Sequence, residues 1–381
     1  MKIYERYLAR QIYLAFLFIV ITFVGLFVFF DLISELSHVG HSGYKFHHAL
    51  VHVLFFSPQR LYEIIPVSSL IAAIYVCAQM SGSSEFTILR ISGISSTQAL
   101  RSLLKIGIPL VIITFLIGEL VAPHGEVLAK KIRLKALGKA ISSDFRSGIW
   151  VKDSFEQDQK RVTRFINIGT LNADSTINNV RIYEFDNDFR LESIRFTAKG
   201  RFEPPNIWCL YDVSETRFET RKEKRRMTHD NALQDIIESS QHHINDFRME
   251  SELTPQILSV LMIHPHNMAI CNLYKYIGHL KDNQQNTDRY ILALWRKLLY
   301  PFASFVMMAL ALPFAYMHAR AGAIGLKVFG GIMLGVSFQL LNSLFSHLGL
   351  LNTWPAWLTA ALPGFLYLML AIGALRWVEK H

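Results

Sequence analysis

The chain has 381 residues, of which 51% are hydrophobic, and its mean hydropathy is +0.26. This composition excludes a soluble enzyme held by a single anchor and indicates a polytopic membrane protein. The formal net charge of +9 is attributed to basic residues beside the membrane. No recognised nucleic-acid-binding motif is present, so no nucleic-acid partner is expected.

Six apolar segments of membrane-spanning length divide three and three around a long polar stretch. At a rise of 1.5 Å per residue, about 20 helical residues cross a hydrocarbon core of ~30 Å. The predicted spans are Ile12–Phe30, Leu61–Met80, Ile106–Ala122, Leu298–Met317, Val328–Ser346 and Trp354–Leu375. We therefore expect an N-terminal membrane half at 1–122, a soluble domain with flanking helices at 123–296 and a C-terminal membrane half at 297–381.

The Lys and Arg residues near the spans predict their orientation, because cytoplasmic loops carry an excess of both. The short loops on one side hold only Lys45 and Arg60. The other side collects Lys2, Arg6, Arg10, Arg90, Arg101, Lys105, Arg320, Lys327, Arg376 and Lys380. Both termini are thus expected in the cytoplasm, and three crossings place the soluble domain on the outer side.

The cytoplasmic segment between the second and third spans has the pattern of a short amphipathic helix. Ser83 or Ser84 can cap this helix, and Gly93 can end it. Its apolar residues are Phe86, Ile88, Leu89 and Ile91. A helix in this position, within about 83–101, offers a docking site to a cytoplasmic partner.

From about residue 144 to about residue 246 the apolar period changes to two, which is typical of strands. Strands are predicted over Arg161–Ile168, Val180–Phe185, Ser193–Phe202 and Ile207–Val213. Short strands at close spacing favour an antiparallel sandwich, a jelly roll or an open barrel. Residues 264–290 are predicted to be helical again.

Sequence motifs for catalysis are absent, since the chain contains no GxxxxGK[ST], HExxH or GxSxG. His48 and His52 stand one helical turn apart but lack a third ligand at recognisable spacing, so a metal site is not predicted. We assign no catalytic, metal-binding or cofactor-binding residue. Cys209 and Cys271 both fall in the soluble domain, where a disulfide is possible in an oxidising compartment, but their spacing does not establish one.

A basic segment follows the third span and contains a single acid, Glu126. Its basic residues are Lys130, Lys131, Arg133, Lys135 and Lys139. In a helix, three of these lysines form one stripe, and Lys130 and Arg133 lie on an adjacent face. Either these side chains reach up to ordinary lipid phosphates, or they bind an anionic headgroup that moves past.

Three acidic residues lie in or near the spans. Asp31 follows the first span, Glu63 lies in the second, and Glu119 lies at the outer end of the third. They are candidates for lining a polar cavity, and a solvated position at the membrane edge is the alternative interpretation.

Several stretches together resemble the LptF/LptG permeases of the lipopolysaccharide export ABC transporter. The resemblance covers essentially the whole chain and is carried by ERYLAR at 5–10, SEFTILRISG at 84–93, IGELVAPHGEVLAKKIR at 117–133, GIWVKD at 148–153, IYEFD at 182–186 and DRY…LW at 288–295. It is closer to the LptG branch than to the LptF branch. The lysines that some LptG members carry around the outer end of the first span are missing, and Val28, Ser34 and Glu35 stand there instead.

This resemblance implies a polytopic α-helical protein of the bacterial inner membrane, with six transmembrane helices and an inserted periplasmic β-jellyroll-like domain. It also implies a heterodimer with an LptF-like permease on a dimer of the ATPase LptB, which uses the ATP and Mg, so that this chain binds no cofactor. The loop with Ser84, Glu85, Arg90 and Gly93 resembles the family's coupling helix. Lys130 and Arg133 stand where LptG-type sequences carry basic residues that face the lipopolysaccharide phosphates.

The resemblance further implies that the β domain hands lipopolysaccharide to LptC and the periplasmic LptA bridge. Two alternatives stay open, an LptF subunit of the same transporter and a mechanotransmission permease like MacB or FtsX. The second typically has four spans with its domain after the first, and the arrangement of three spans on either side counts against it. A lipid-modifying enzyme would need a convergent catalytic cluster, which the sequence does not predict.

Overall fold

The computed structural model describes residues 2–40, 43–136, 148–157, 160–172, 176–186, 188–204, 206–224, 233–251, 264–316, 323–352 and 354–380. Its helices, in chain order, are α1 (Ile3–Leu36), α2 (Phe46–Gly82), α3 (Glu85–Ile91), α4 (Ser96–Leu116), α5 (Ala122–Ala136), α6 (Ile270–Asp282), α7 (Asp288–Leu299), α8 (Ala303–Ala311), α9 (Pro313–Tyr316), α10 (Ala323–Leu351) and α11 (Ala356–Lys380). A π-helical turn at Ile117–Val121 joins α4 to α5. Short 3₁₀ turns at Pro265–Asn267 and Tyr300–Phe302 lie before α6 and α8.

Six helical segments in the described ranges are long and apolar enough to cross a membrane. They are α1, α2, α4 with α5, α7 to α9, α10 and α11. Three precede the strands and three follow them, so the predicted division is confirmed. Helix α2 begins at Phe46, well before the predicted span, because Ala49 near its start is buried against Leu32 of α1 and Ala136 of α5.

Helix α2 is the centre of the membrane region. In its most apolar stretch, 72% of the residues are buried within the chain, compared with 11% for α1. Ile74 of α2 packs in one cluster with Met307 of α8, Phe338 of α10 and Tyr367 of α11. Since hydrocarbon supplies no hydrophobic force between helices, these contacts act through close van der Waals packing. The exposed apolar surface of α1 is left for lipid or for another subunit.

Gly125 lets α5 lie directly against α2. A Cβ built on Gly125 would be 2.4 Å from the carbonyl oxygen of Phe55. This oxygen belongs to the backbone of α2 and cannot rotate away, so any side chain at position 125 would push the two helices apart. The contact holds the basic residues of α5 next to α1 and α2.

The strands that the structure describes between α5 and α6 form one antiparallel sheet in which each strand pairs with the next. Its strands are β1 (Ile149–Gln157), β2 (Lys160–Leu171), β3 (Thr176–Phe185), β4 (Leu191–Glu203), β5 (Ile207–Lys224) and β6 (Leu233–Glu250). The register places Asp153 opposite Arg164 and Arg164 opposite Glu184. A cross-strand row of charged residues therefore runs over β1, β2 and β3.

The same face of the sheet carries the apolar core of the domain. Two non-glycine residues with positive φ, Asn179 and Asp212, interrupt the alternation of side chains as bulges do. Ile177 and Val180, three residues apart, therefore both point into the core, and so do Leu210 and Val213. The remaining buried members of this core are Ile149, Val151, Ile166, Ile168, Ile182, Trp208 and Met249.

Helices α6 and α7 connect the sheet to the membrane region. Leu273 and Tyr276 of α6 pack against Ala293 of α7, and Val127 of α5 lies against the same cluster. The Nζ of Lys152, on β1, donates a hydrogen bond of 3.0 Å to the carbonyl of Asn283 at the end of α6. This bond ties the β domain to the helices that follow it, and α5 packs on those same helices.

The predicted fold class, a polytopic helical membrane protein with an inserted β-rich domain, is confirmed. Strands β1 and β6 were absent from the sequence-based prediction, which contained only the four strands between them. The three cysteines are unbonded in the structure: Cys77 and Cys209 are buried, and Cys271 is exposed.

Candidate functional site

The loop between the second and third membrane helices brings together all four residues predicted for partner docking. Ser84 has φ +60° and directly precedes α3, whose first residue is Glu85. Gly93, with φ +90°, follows the end of α3. The amide of Gly93 donates to the carbonyl of Arg90, and the amide of Ile94 donates to that of Leu89. This pair of bonds is a Schellman motif, which needs the left-handed conformation that glycine adopts without strain.

One face of α3 packs against the membrane helices. Phe86 meets the ring of Tyr316 edge to face at 4.9 Å, and the Arg90 guanidinium lies 5.1 Å from the centre of the same ring. The Tyr7 hydroxyl of α1 donates to Glu85 at 3.2 Å. The helix is thus held in place by contacts to α1 and α9.

The opposite face of α3 is apolar and exposed. Ile88 is 62% exposed and Ile91 is 82% exposed. Burying such side chains in a contact is worth about 1.5–3 kcal/mol each. A seven-residue helix that presents two isoleucines beside Glu85 and Arg90 has the chemistry of a small docking surface.

Three predicted residues, Asp31, Lys130 and Arg133, lie where α1, α2 and α5 meet. Together with their partners in the structure they form a group that we call the neck cluster, which consists of Asp31, Glu35, Arg60, Glu126, Lys130 and Arg133. Lys130 pairs with Glu126 at 2.9 Å, Arg133 with Glu35 at 2.9 Å and Arg60 with Asp31 at 2.8 Å. Each of its basic residues therefore has an acidic partner within the chain.

Glu35 organises one half of the neck cluster. Besides pairing with Arg133, it accepts a hydrogen bond of 2.9 Å from the hydroxyl of Tyr44. Burial, reinforced by this bond, raises the pKa of Tyr44, so its hydroxyl stays a donor at physiological pH. Arg133 also contacts His38 at 2.8 Å. Helix α5 is thereby linked to the end of α1.

Both side chains that are predicted to bind a headgroup are partly exposed. The side chain of Lys130 is 29% exposed and that of Arg133 is 32% exposed. Lys131 lies on the exposed side of α5. Lys139 and the side chain of Lys135 lie outside the residues that the structure describes, so the predicted lysine stripe is seen only at its first member.

Two of the three residues predicted to line a cavity, Asp31 and Glu119, each have a specific partner within the chain. Asp31 binds Arg60 through both oxygens, at 2.8 and 2.9 Å. Glu119 lies in the π-helical turn, and both of its oxygens are 2.9 Å from the amide of Ile270, the first residue of α6. A carboxylate at this position satisfies a free N–H group of the helix and interacts favourably with its dipole. The cavity-lining role of both residues stays a prediction.

Further polar contacts beside Glu119 form the junction between the membrane helices and α6. The Nζ of Lys297, on α7, donates to the carbonyl of Met268. The side chain of Gln59, on α2, donates to that of Asn267 at 2.9 Å. The junction thus joins α2, α7 and the π-helical turn to the segment that enters α6. Lys297 and Gln59 were missed by the sequence analysis, because each bonds a residue that only the fold brings near.

A buried charged network crosses the interior face of the sheet. Glu184 lies 2.6 Å from both Arg164 and Arg195, and Arg195 also binds Glu215 at 2.8 Å. Burial alone would raise the pKa of Glu184, but the charges of the two arginines outweigh that effect and lower the pKa. Burial likewise lowers the pKa of Arg164, yet arginine stays charged throughout the physiological range. Glu184 is therefore an ionised partner of both guanidinium groups.

The chain matches the model of the family described as lipopolysaccharide export system permease LptF/LptG over residues 6–377. It is also similar to two proteins named lipopolysaccharide export system permease protein LptG. With that of Escherichia coli K12 it shares 27% identity over 369 residues, which cover 97% of this chain and 96% of the relative. With that of Haemophilus influenzae it shares 25% identity over 367 residues, which cover 96% of each.

Proposed function

Because the chain belongs to the lipopolysaccharide export system permease family LptF/LptG, we propose that it is the LptG-type subunit of a lipopolysaccharide exporter. Members of this family are multi-pass inner-membrane permease subunits that are not themselves catalytic. The observation that carries the proposal is the insertion of one β domain between two sets of three membrane helices, in a chain that matches LptG proteins end to end. Its partners are an LptF-like permease, a dimer of the ATPase LptB, LptC and the LptA bridge.

The energetics of lipid extraction require a permease that shields the lipid from water and a partner ATPase that supplies energy. Exposing one CH₂ group to water costs ~0.8 kcal/mol, so an acyl chain of about 13 methylenes costs on the order of 10 kcal/mol. Several chains leaving together need apolar walls along the whole route. They also need an energy source, and the partner ATPase supplies it from ATP and Mg.

The exposed face of α3 is the proposed contact with that ATPase. Ile88 and Ile91 supply apolar area, and Glu85 and Arg90 supply charges that select the partner. Because the buried face of α3 packs on α9 through Phe86, a push on the helix reaches the fourth membrane segment directly. This topology requires both termini and α3 in the cytoplasm and the β domain in the periplasm.

The neck cluster is the proposed contact for the lipopolysaccharide headgroup. Arg133 and Lys130 are partly exposed, and each is held by a carboxylate. A phosphate can replace that carboxylate as the partner of a guanidinium, because both anions fit its paired N–H donors. The headgroup then passes to the β domain, whose described core combines apolar side chains with the buried charged network around Glu184, and which hands the lipid on to LptC.

The test of this function is reconstitution of the chain with its LptF-type and LptB-type partners in liposomes that contain lipopolysaccharide. We expect the chain to co-purify with a P-loop ATPase and the complex to hydrolyse ATP faster when lipopolysaccharide is present. Failure to capture an ATPase, or hydrolysis without any lipid movement out of the liposome, would contradict the proposal.

Charge reversal on α3 tests the coupling step. Glu85→Lys and Arg90→Glu should reduce ATPase capture or leave hydrolysis without export, because they invert the charges that face the partner. Arg376→Glu, a charge reversal at an exposed position near the end of α11, is the matched control and should behave as the unmodified chain. Full export by both reversal variants would remove α3 from the coupling step.

A further inference from the structure

A cavity of about 150 Å³ lies between α7, α8, α10 and α11, and the proposed function does not use it. Its wall is almost entirely apolar or small, with Val306, Phe338 and Gly364 among its members. Three polar side chains also line it, those of Arg296, Tyr300 and Asn342. A guanidinium beside an apolar cavity in a membrane helix is costly unless it has a partner.

Arg296 has no acidic partner within ion-pair distance among the described residues. The carboxylate whose charge it feels is Glu63. Glu63, however, accepts a hydrogen bond from Gln59 at 2.9 Å and lies 3.6 Å from Arg60. The positive charge of Arg296 is therefore left for an anion from outside the chain.

The depth of Arg296 matches the headgroup region of a bilayer. It lies eight residues after the start of α7, which corresponds to about 12 Å along the helix from the end next to the β domain. On the same side of the membrane, Trp354 and Trp357 stand partly exposed at the start of α11. Tryptophans concentrate at membrane–water interfaces, so they mark the level at which lipid headgroups meet the protein.

The rest of the cavity extends towards the middle of the membrane and is open to hydrocarbon. Val306 lies ten residues beyond Arg296, or about 15 Å deeper. Phe302, on the cavity wall, is 53% exposed, so the cavity opens on the lipid-facing surface. A Cβ built on Gly364 meets no atom within 4 Å. An apolar cavity of about 150 Å³ binds a molecule as large as benzene, and it therefore has room for part of one acyl chain.

We propose that this cavity is a binding site for an anionic glycerophospholipid, with the phosphate on Arg296 and one acyl chain against α8, α10 and α11. A single guanidinium with space for one chain suits a phospholipid, whereas lipid A presents several chains at once. The site is separate from the neck cluster, which belongs to α1, α2 and α5. The bound lipid fills the gap between the fourth, fifth and sixth membrane segments and holds them together.

The experiment uses the complete complex, purified in detergent and washed free of lipid. Phosphatidylglycerol or the zwitterionic phosphatidylcholine is then added, and the melting temperature is followed against lipid concentration. We expect phosphatidylglycerol to raise the melting temperature in a saturable manner and phosphatidylcholine to leave it unchanged. Arg296→Gln should weaken the apparent affinity about tenfold, since it removes a charge-assisted bond. Gly364→Leu should abolish the effect by filling the cavity while the charge remains.

Two control variants accompany these. Arg289→Gln removes an exposed arginine from the same helix, and Gly373→Leu adds the same side chain to α11 at another position where a Cβ meets nothing within 4 Å. Both should respond to phosphatidylglycerol as the unmodified complex does. An equal response to phosphatidylcholine, or an unchanged response of both Arg296→Gln and Gly364→Leu, would overturn the proposal.

A photoreactive phosphatidylglycerol with a diazirine in one acyl chain identifies the site directly. We expect adducts on the peptides of α10 and α11 that line the cavity, and fewer of them in Gly364→Leu. Purified lipopolysaccharide should not displace the label at equal concentration. Displacement would assign the cavity to the transported lipid instead, and this result leaves the export function itself intact.

Discussion

Glu184 shows how one residue can determine the stability of the β domain. Its carboxylate is 2.6 Å from two buried guanidinium groups, and the hydroxyl of Ser193 donates to its second oxygen at 3.0 Å. Removing one member of a buried ionic network leaves the others without a counter-charge, which typically costs about 3–5 kcal/mol. The network therefore makes the fold of the sheet sensitive to a single proton.

Glu184→Gln should lower the melting temperature of the β domain at pH 7. Because the pKa of Glu184 is lowered in the folded state, its contribution is complete above the unfolded value of ~4.3 and is lost as the pH falls through the folded value. The difference in melting temperature between Glu184→Gln and the unmodified chain should therefore become smaller below about pH 4. Melting curves between pH 7 and pH 3 measure this, with the exposed Glu192→Gln as control. A difference that stays constant with pH would exclude the ionised carboxylate as its source.

The neck cluster makes a second prediction at the scale of single residues. Glu35→Gln leaves Arg133 without its ion pair and should increase crosslinking of lipopolysaccharide to α5, whereas Arg133→Gln should reduce it. The measurement is photocrosslinking from a probe placed at residue 132, and Lys131→Gln is the control for the loss of one positive charge. Equal crosslinking in the Glu35 and Arg133 variants would show that Arg133 serves only to link α5 to α1.

At the scale of elements, the contact between α2 and α5 depends on the absence of a side chain at Gly125. Gly125→Ala should destabilise the complex by about 1–3 kcal/mol, the usual cost of overpacking, because its Cβ would meet the Phe55 carbonyl oxygen. Thermal unfolding in detergent measures the effect. Gly25→Ala, where a Cβ on α1 meets nothing within 4 Å, should be neutral. Equal stability of the two variants would mean that α5 can shift away from α2 at no cost.

The sequence predicts the membrane helices well because about 20 consecutive apolar residues leave no other stable structure in a bilayer. It predicts the four middle strands for a similar reason, since their side chains alternate. Strand β6 escapes prediction because its residues, such as His242, His243 and Asp246, are polar on both faces. This strand is fixed by its pairing with β5, which is a property of the fold.

The candidate sites also differ in how far the sequence alone predicts them. The residues of α3 are neighbours in sequence, so their pattern alone brings them together. The partners of Arg133 and Glu119 are 98 and 151 residues away in the chain. A local sequence pattern does not indicate which residues meet across such separations. Arg296 was overlooked because it stands at the edge of an apolar segment, where an arginine is ordinary.

At the scale of the whole molecule, the free cysteines report which side of the membrane carries the β domain. Cys271 is exposed on α6, whereas Cys77 and Cys209 are buried. We therefore expect a membrane-impermeant maleimide to label intact spheroplasts at one cysteine, and Cys271→Ser to abolish the labelling. Mass spectrometry of the labelled chain measures this. Labelling that appears only after the membrane is disrupted would place the domain in the cytoplasm and reverse the proposed orientation.

The third membrane segment has a mechanical consequence. Residues Ser96–Arg133 form one helical rod of 38 residues, about 57 Å long, in a hydrocarbon layer of ~30 Å. Roughly half of the rod therefore projects from the bilayer as a lever, with one end next to α3 and Arg133 at the other end. A tilt of only about 10° around the lower end would swing that tip sideways by about 10 Å. Small rearrangements at the α3 end of the rod would thus arrive at its far end magnified.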